Sequence, residues 1–223
     1  MDFVETRRVR FVERYLSPEN RLAEVICGLV MVLSFTTTAT AAFRELTPRE
    51  LLIAILGCNA AWGIVDGMTY VLGNLLLRGQ RAHLVNALQK ANPQEGLRMI
   101  REKLSNILCV VSDPAEREQI ARRLLEGAKR LRPAAARVER QDIYTALACF
   151  IVVFSCTLPV AVPFMLLHDK AMALRLSNLV GLVALFICGY RWGGLAGTNR
   201  LWTGTVMLLL GGVLVAITVA LGG

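Results

Sequence analysis

The residues best placed to do chemistry sit inside an apolar run. Between Leu51 and Leu77 the chain reads Trp62-Gly63-Ile64-Val65-Asp66-Gly67-Met68-Thr69-Tyr70, with Asp66 as its one carboxylate. A carboxylate at the centre of a bilayer costs ~2.5–3.5 kcal/mol even on lenient insertion scales, so it usually faces a bundle interior or a water-filled path. At helical spacing Asn59, Trp62, Gly63, Asp66, Tyr70, Gly73 and Asn74 share one side, and that side is polar or small. Such a face fits an ion or proton site. It also fits a close-packing face at Gly63 and Gly67, with Asp66 bonding a neighbouring helix. Glu24, Cys27, Met31, Ser34 and Thr38 form a second polar and sulfur-bearing stripe. Oxygen with thioether ligands suits a borderline divalent cation such as Fe²⁺. The plainer account has Glu24 solvated near the inner interface and Met31 filling space.

These stripes need long helices to carry them, and the composition supplies them. A chain of 223 residues with 55% hydrophobic residues and a mean hydropathy of +0.51 is too apolar for an ordinary soluble domain. Apolar segments at 22–43, 51–77, 143–167, 176–190 and 203–221 approach the ~20 residues that a spanning helix requires. The fourth is short unless it extends into Arg191-Trp192-Gly193. The first starts too late and runs too long for a cleaved signal peptide. The expected fold is all-α: a polytopic membrane protein of five transmembrane helices with a small cytoplasmic helical module between helices 2 and 3. Its parts are an N-terminal amphipathic segment at 1–17, helices 1–2 at 18–77, a three-helix module at 78–142, and helices 3–5 at 143–223.

Helix starts are written locally. Ser17-Pro18-Glu19, Thr47-Pro48-Arg49-Glu50, Asn92-Pro93-Gln94-Glu95 and Asp113-Pro114-Ala115-Glu116 each join a capping residue, a proline at the first helical position and an acid in the first turn. In the module, Leu97, Ile100, Leu104 and Leu108 form one apolar stripe, and Ile120, Leu124, Ala128 and Leu131 another. A further helix is expected near 80–91. Pro159 and Pro163 interrupt the third span, and Gly189, Gly193 and Gly197 share a face near the end of the fourth.

Net charge is +8, and its placement sets an orientation. Residues 78–142 hold fourteen Arg/Lys against eight Asp/Glu, and Arg7, Arg8, Arg10, Arg14 and Arg21 crowd the N-terminus. An excess of Lys/Arg marks cytoplasmic segments, which puts the N-terminus and the module inside and the C-terminus outside. Residues 3–16 suit a basic amphipathic helix on the membrane surface, and the basic balance suits anionic lipid headgroups. Nucleic-acid binding is not indicated, for no aromatic interleaving accompanies the charge. Six scattered cysteines with no CxxC indicate neither disulfides nor a zinc cluster, and each reads as a small apolar residue. No HExxH, GxSxG or paired acids point to an enzyme, and no resident cofactor is expected.

Leu158-Pro159-Val160-Ala161-Val162-Pro163-Phe164, Ala184-Leu185-Phe186-Ile187-Cys188-Gly189-Tyr190, Gly193 with Leu195-Ala196-Gly197, and Val206 to Gly212 together resemble the vacuolar iron transporter family. The order of elements matches along the whole chain, and the last third matches closely in residues. That family has five spans, an inside N-terminus, a helical cytoplasmic module and a dimeric arrangement. Its first span carries an Asp-Gly pair where this chain has Met31-Val32, and its second a Met and a Glu near the places of Tyr70 and Asn74. Its acid-rich cytoplasmic metal site has no counterpart in this basic module.

The resemblance implies a homodimer in the plasma or inner membrane, exporting Fe²⁺ or Mn²⁺ from the cytoplasm, with proton antiport as the driving exchange. Asp66 is then the central ligand or proton carrier. Met31 and Met68 are the soft ligands, and Asn74 and Glu24 lie towards the inside mouth. Met68, two residues from Asp66, does not share its face. The alternative is a non-transporting scaffold on the same fold that binds lipid or a partner through its basic helices.

Overall fold

The computed structural model describes residues 11–42, 46–111, 113–131 and 135–220, and within its helices the side chains of 39–42, 104–111 and 219 are not described. The first ten residues of the expected amphipathic segment, the side chains of Cys109, Leu104 and Leu108, Arg132-Pro133 and the Gly222-Gly223 terminus therefore lie outside the described residues. The described elements are all helices: α1 (Phe11–Tyr15), α2 (Pro18–Ala42), α3 (Pro48–Lys90), α4 (Pro93–Val111), α5 (Pro114–Arg130), α6 (Arg140–Leu166), α7 (Lys170–Leu195) and α8 (Arg200–Ala220).

The helices begin where the capping chemistry places them. Glu50 accepts hydrogen bonds from the Thr47 backbone N–H and hydroxyl, both at 2.8 Å, and Thr47 Oγ1 accepts from the Glu50 N–H at 3.3 Å. This reciprocal pair satisfies otherwise orphaned donors at the start of α3. Asn92 caps α4 by accepting from the Glu95 N–H at 2.9 Å. Asp113 caps α5 by accepting from Ala115 and Glu116 at 2.9 and 3.0 Å. Asp169 serves α7 in the same way, accepting from the Ala171 and Met172 N–H groups.

Five helices, α2, α3, α6, α7 and α8, are long and apolar enough to cross a membrane. The fourth span does extend past Tyr190, since α7 runs to Leu195. The second span and the helix expected near 80–91 are one 43-residue element, α3. No proline interrupts it after its first residue, and Gly79 alone does not break a helix whose neighbours favour continuing. Pro159 and Pro163 lie within α6, which continues through both.

The chain forms two compact units. The first takes residues up to Val71 together with those from Arg140 onward. Its largest core joins Leu29, Leu33, Leu51, Ile55, Val160, Phe164 and Leu185. Around it, Ile64, Met165, Leu166, Leu201, Trp202 and Leu209 are more than half exposed on the spanning helices, as lipid-facing positions are.

The second unit, Leu72–Glu139, contains the end of α3 with α4 and α5. Its core is Leu88, Ile100, Ala121, Leu125 and Ala128. The α5 stripe thus differs from the expected one: Ala121 and Leu125 are buried, whereas Leu124 and Leu131 are exposed. Gly96 is the reason. A Cβ there would meet Leu125 Cδ1 at 2.7 Å, so the absent side chain on α4 is the space that Leu125 fills.

Candidate metal centre

Small residues bring three spanning helices together. On α3, a Cβ at Gly63 would meet the Phe150 ring of α6 at 3.1 Å, and one at Gly67 would meet the Ala146 carbonyl oxygen at 2.9 Å. On α2, Gly28 is closed over by Cys156 and the Val153 carbonyl of α6. Close backbone approach of this kind is how helices pack where lipid removes the hydrophobic drive. One turn from Gly63 and beside Gly67 sits Asp66, and one turn from Ala146 sits Cys149.

The result is a cluster. Glu24 of α2, Asp66 of α3 and Cys149 of α6 present side-chain ligand atoms that all lie within 4.8 Å of one another. Glu24 is 9% exposed and Cys149 fully buried. Tyr70, one turn beyond Asp66, donates its hydroxyl proton to Glu24 Oε1 at 2.8 Å and so orients that carboxylate. Asp66 Oδ2 is buried and accepts no hydrogen bond, and Trp62 Nε1, one turn earlier on α3, is buried without an acceptor. Buried polar atoms are ordinarily satisfied, so an orphaned carboxylate oxygen is a reason to look for a ligand. Leu16, Ala148 and Val153, with Trp62 and Tyr70 against them, wall the cluster with apolar surface.

A polar line continues from it. Two turns before Asp66 on α3, Asn59 donates to Thr157 Oγ1 of α6 and, at 3.4 Å, to the Gly28 carbonyl of α2. Asn59 is 1% and Thr157 0% exposed. Elsewhere on α2, Thr36 donates to Asn178 of α7 at 2.6 Å.

Of the residues singled out in the sequence, the structure brings Glu24 and Asp66 together. Glu24 is buried rather than solvated, because the bundle closes over the first turns of α2. Met31 stands half-buried on α2, about 10 Å of helix rise from Glu24. Met68 is 54% exposed, on the side of α3 turned away from Asp66. Asn74 belongs to the second unit and is half-buried there. Cys149 enters the cluster in spite of its reading as a small apolar residue. A signal for it did exist: Thr145, Cys149, Cys156 and Thr157 repeat on α6 at the spacing that marked the stripes of α2 and α3.

Two carboxylates and a thiol offer two hard oxygen donors and one soft sulfur donor, a set matched to a borderline divalent ion. Binding requires the ligands to be deprotonated, so metal entry releases protons. The model of the VIT family matches residues 77–223. Cys149 lies inside the matched stretch, and Glu24 and Asp66 lie ahead of it. No curated protein matches the chain.

Proposed function

The chain belongs to the VIT family, a family of membrane metal-ion transporters, and from that premise we propose that it moves Fe²⁺ or Mn²⁺ out of the cytoplasm in exchange for protons. The observation that carries the reading is the convergence of Glu24, Asp66 and Cys149 from three spanning helices, with one Asp66 oxygen left unpartnered. The metal ion is cargo. Asp66 and Cys149 bind it from opposite helices, and Glu24, held by Tyr70, completes the set.

Release follows from the same chemistry run backwards. Protons arriving at the carboxylates and the thiol compete with the metal for the same lone pairs, so a proton gradient drives the ion off. The buried amide and hydroxyl of Asn59 and Thr157 provide the next oxygen ligands along the bundle once their mutual bond opens. Met31 acts further along the path, and Met68 contributes least because of its direction. The basic charge pattern supports a cytoplasmic N-terminus and a cytoplasmic second unit in the plasma or inner membrane. A homodimer is the working assembly.

The test is flux of Fe²⁺ and Mn²⁺ into proteoliposomes that contain the native protein, Asp66→Asn or Cys149→Ala. Flux in the native protein that disappears in Asp66→Asn and changes its ion preference in Cys149→Ala supports the proposal. Flux that is equal in all three moves the ligand site elsewhere. No flux of either ion, from protein that elutes as a single folded species, ends the metal-transport reading.

A further inference from the structure

A cavity elsewhere in the membrane-spanning unit has a chemistry unlike the Glu24–Asp66–Cys149 cluster. It encloses about 500 Å³ between the start of α2, the end of α7 and the start of α8. Arg21, Arg191 and Arg200 line it, with Glu13 and Tyr190, over a floor of aliphatic side chains from α2 and α7. Among the described residues, three arginines line this cavity against a single carboxylate.

The turn between α7 and α8 is built to place two of them. Gly197 adopts φ +67°, a left-handed conformation that suits glycine, and the Thr198 N–H bonds the Gly193 carbonyl at 2.9 Å. The Asn199 side chain then caps α8 by accepting from the Trp202 N–H at 3.2 Å. This reversal brings Arg200 back beside Arg191. A Cβ at Gly194 would lie 3.0 Å from Arg200 Nε and 3.4 Å from Nη2, so the guanidinium rests over a bare glycine backbone. Its Cζ stands 5.8 Å from the centre of the Tyr190 ring. Across the cavity, Arg21 Nη1 reaches Glu13 at 3.4 Å, while Arg21 Nε is buried with no hydrogen-bond acceptor.

Like charges gathered in a partly enclosed space repel unless an anion lies among them. A guanidinium fork matches phosphate oxygens in pairs, which an isolated carboxylate does not fully exploit when three forks are present. Position adds a second constraint. Arg21 opens one spanning helix and Arg191 closes another, so the cavity sits at a membrane face, with hydrocarbon adjoining its aliphatic floor.

We infer that this cavity is a phosphate-binding site, and that its setting suits the headgroup of an anionic phospholipid. Arg191 and Arg200 grip the phosphate oxygens from one side, and the Arg21 guanidinium lines the other. Gly194 leaves room for Arg200 to lie flat, and the floor accepts the glycerol and the first acyl carbons. The inference rests on the cavity alone and does not depend on which ion, if any, the Asp66 cluster carries.

The purified full-length chain in detergent is titrated with short-chain phosphatidylglycerol, short-chain phosphatidylcholine and inorganic phosphate, and binding is read by native mass spectrometry. Phosphatidylglycerol should bind at least tenfold more tightly than phosphatidylcholine. The double variant R191Q/R200Q should lose at least tenfold of that affinity, and R191K/R200K should recover part of it. Gly194→Ala keeps every charge but displaces the Arg200 guanidinium, and it should also weaken binding. Phosphatidylglycerol binding without inorganic phosphate binding assigns the site to a lipid headgroup, whereas equal binding of inorganic phosphate assigns it to free phosphate. The inference fails if R191Q/R200Q, eluting as the native protein does, binds phosphatidylglycerol unchanged. It fails equally if phosphatidylcholine binds as tightly and inorganic phosphate not at all.

Discussion

Replacing Asp66 by asparagine should make the metal-free protein more stable while removing its response to metal. The ligand atoms of Glu24 and Asp66 lie within 4.8 Å of each other. Two unit charges at that separation, in the effective dielectric of ~20 that describes protein sites, repel by ~3.5 kcal/mol. Only part of that figure returns to the metal-free fold when one carboxylate is neutralised, because the two side chains relax apart and water screens the rest. Gaining a third of it, about 1 kcal/mol, raises Tm by roughly 2–4 °C in a chain of this size. Metal binding acts in the opposite sense on the native protein. An ion at a hundred times its Kd stabilises the fold by about 2.7 kcal/mol, or roughly 5–11 °C. The assay is thermal unfolding in detergent, with and without Mn²⁺, for the native protein and Asp66→Asn. The variant should start at least 2 °C higher and then move by less than about 1 °C with Mn²⁺, a change below the ~0.5 kcal/mol scatter of neutral substitutions. A variant no more stable than the native protein and still stabilised by Mn²⁺ to the native extent refutes both premises, the close carboxylates and the ligand role.

Three further outcomes follow from the same geometry. Cys149→Ser exchanges the soft donor for a hard one, so competition between Fe²⁺ and Mn²⁺ for the purified protein should shift towards Mn²⁺ by roughly tenfold, a change of about 1.4 kcal/mol in relative affinity. Asn59→Ala or Thr157→Val alone removes the bond between two buried polar groups and should cost about 1–3 kcal/mol, whereas the double variant should cost clearly less than the sum; additive losses in a thermal double-mutant cycle would remove the bond from the account. Glycine substitutions on α3 should differ in sign, as thermal unfolding would show. Gly57→Ala enters open space and should stabilise by about 0.5–1 kcal/mol, while Gly67→Ala forces a Cβ to 2.9 Å from the Ala146 carbonyl and should cost about 1–3 kcal/mol.

The local features of this protein were legible in its residues because their causes are local. The capping of α3, α4 and α5 by Thr47, Asn92 and Asp113 requires only four consecutive residues, and each bond is present. The five spanning helices follow from runs of apolar side chains, since a segment of that length and hydropathy needs no neighbour to make it a helix in lipid. The face of α3 that bears Asp66 and Asn59 was readable for a similar reason: helical period alone puts them on one side.

What lay beyond the sequence was rotation and partnership. In α5 the apolar residues allow two adjacent stripes, and the choice of Leu125 over Leu124 was made by a glycine on another helix. In the same way the acid of α3 does not declare which residue will face it. Cys149 stands more than eighty residues along the chain from Asp66, and its part in the cluster depends on how closely α6 settles against Gly63 and Gly67. The direction of Met68, exposed on the far side of α3, is the converse case, where nearness in sequence to Asp66 gives no nearness in space. Residue type and spacing determined that this chain makes long membrane helices with a polar face, because hydropathy and period act within one element. Which acids, thiols and arginines meet was decided only by tertiary packing, because that depends on the close approach of helices distant in sequence.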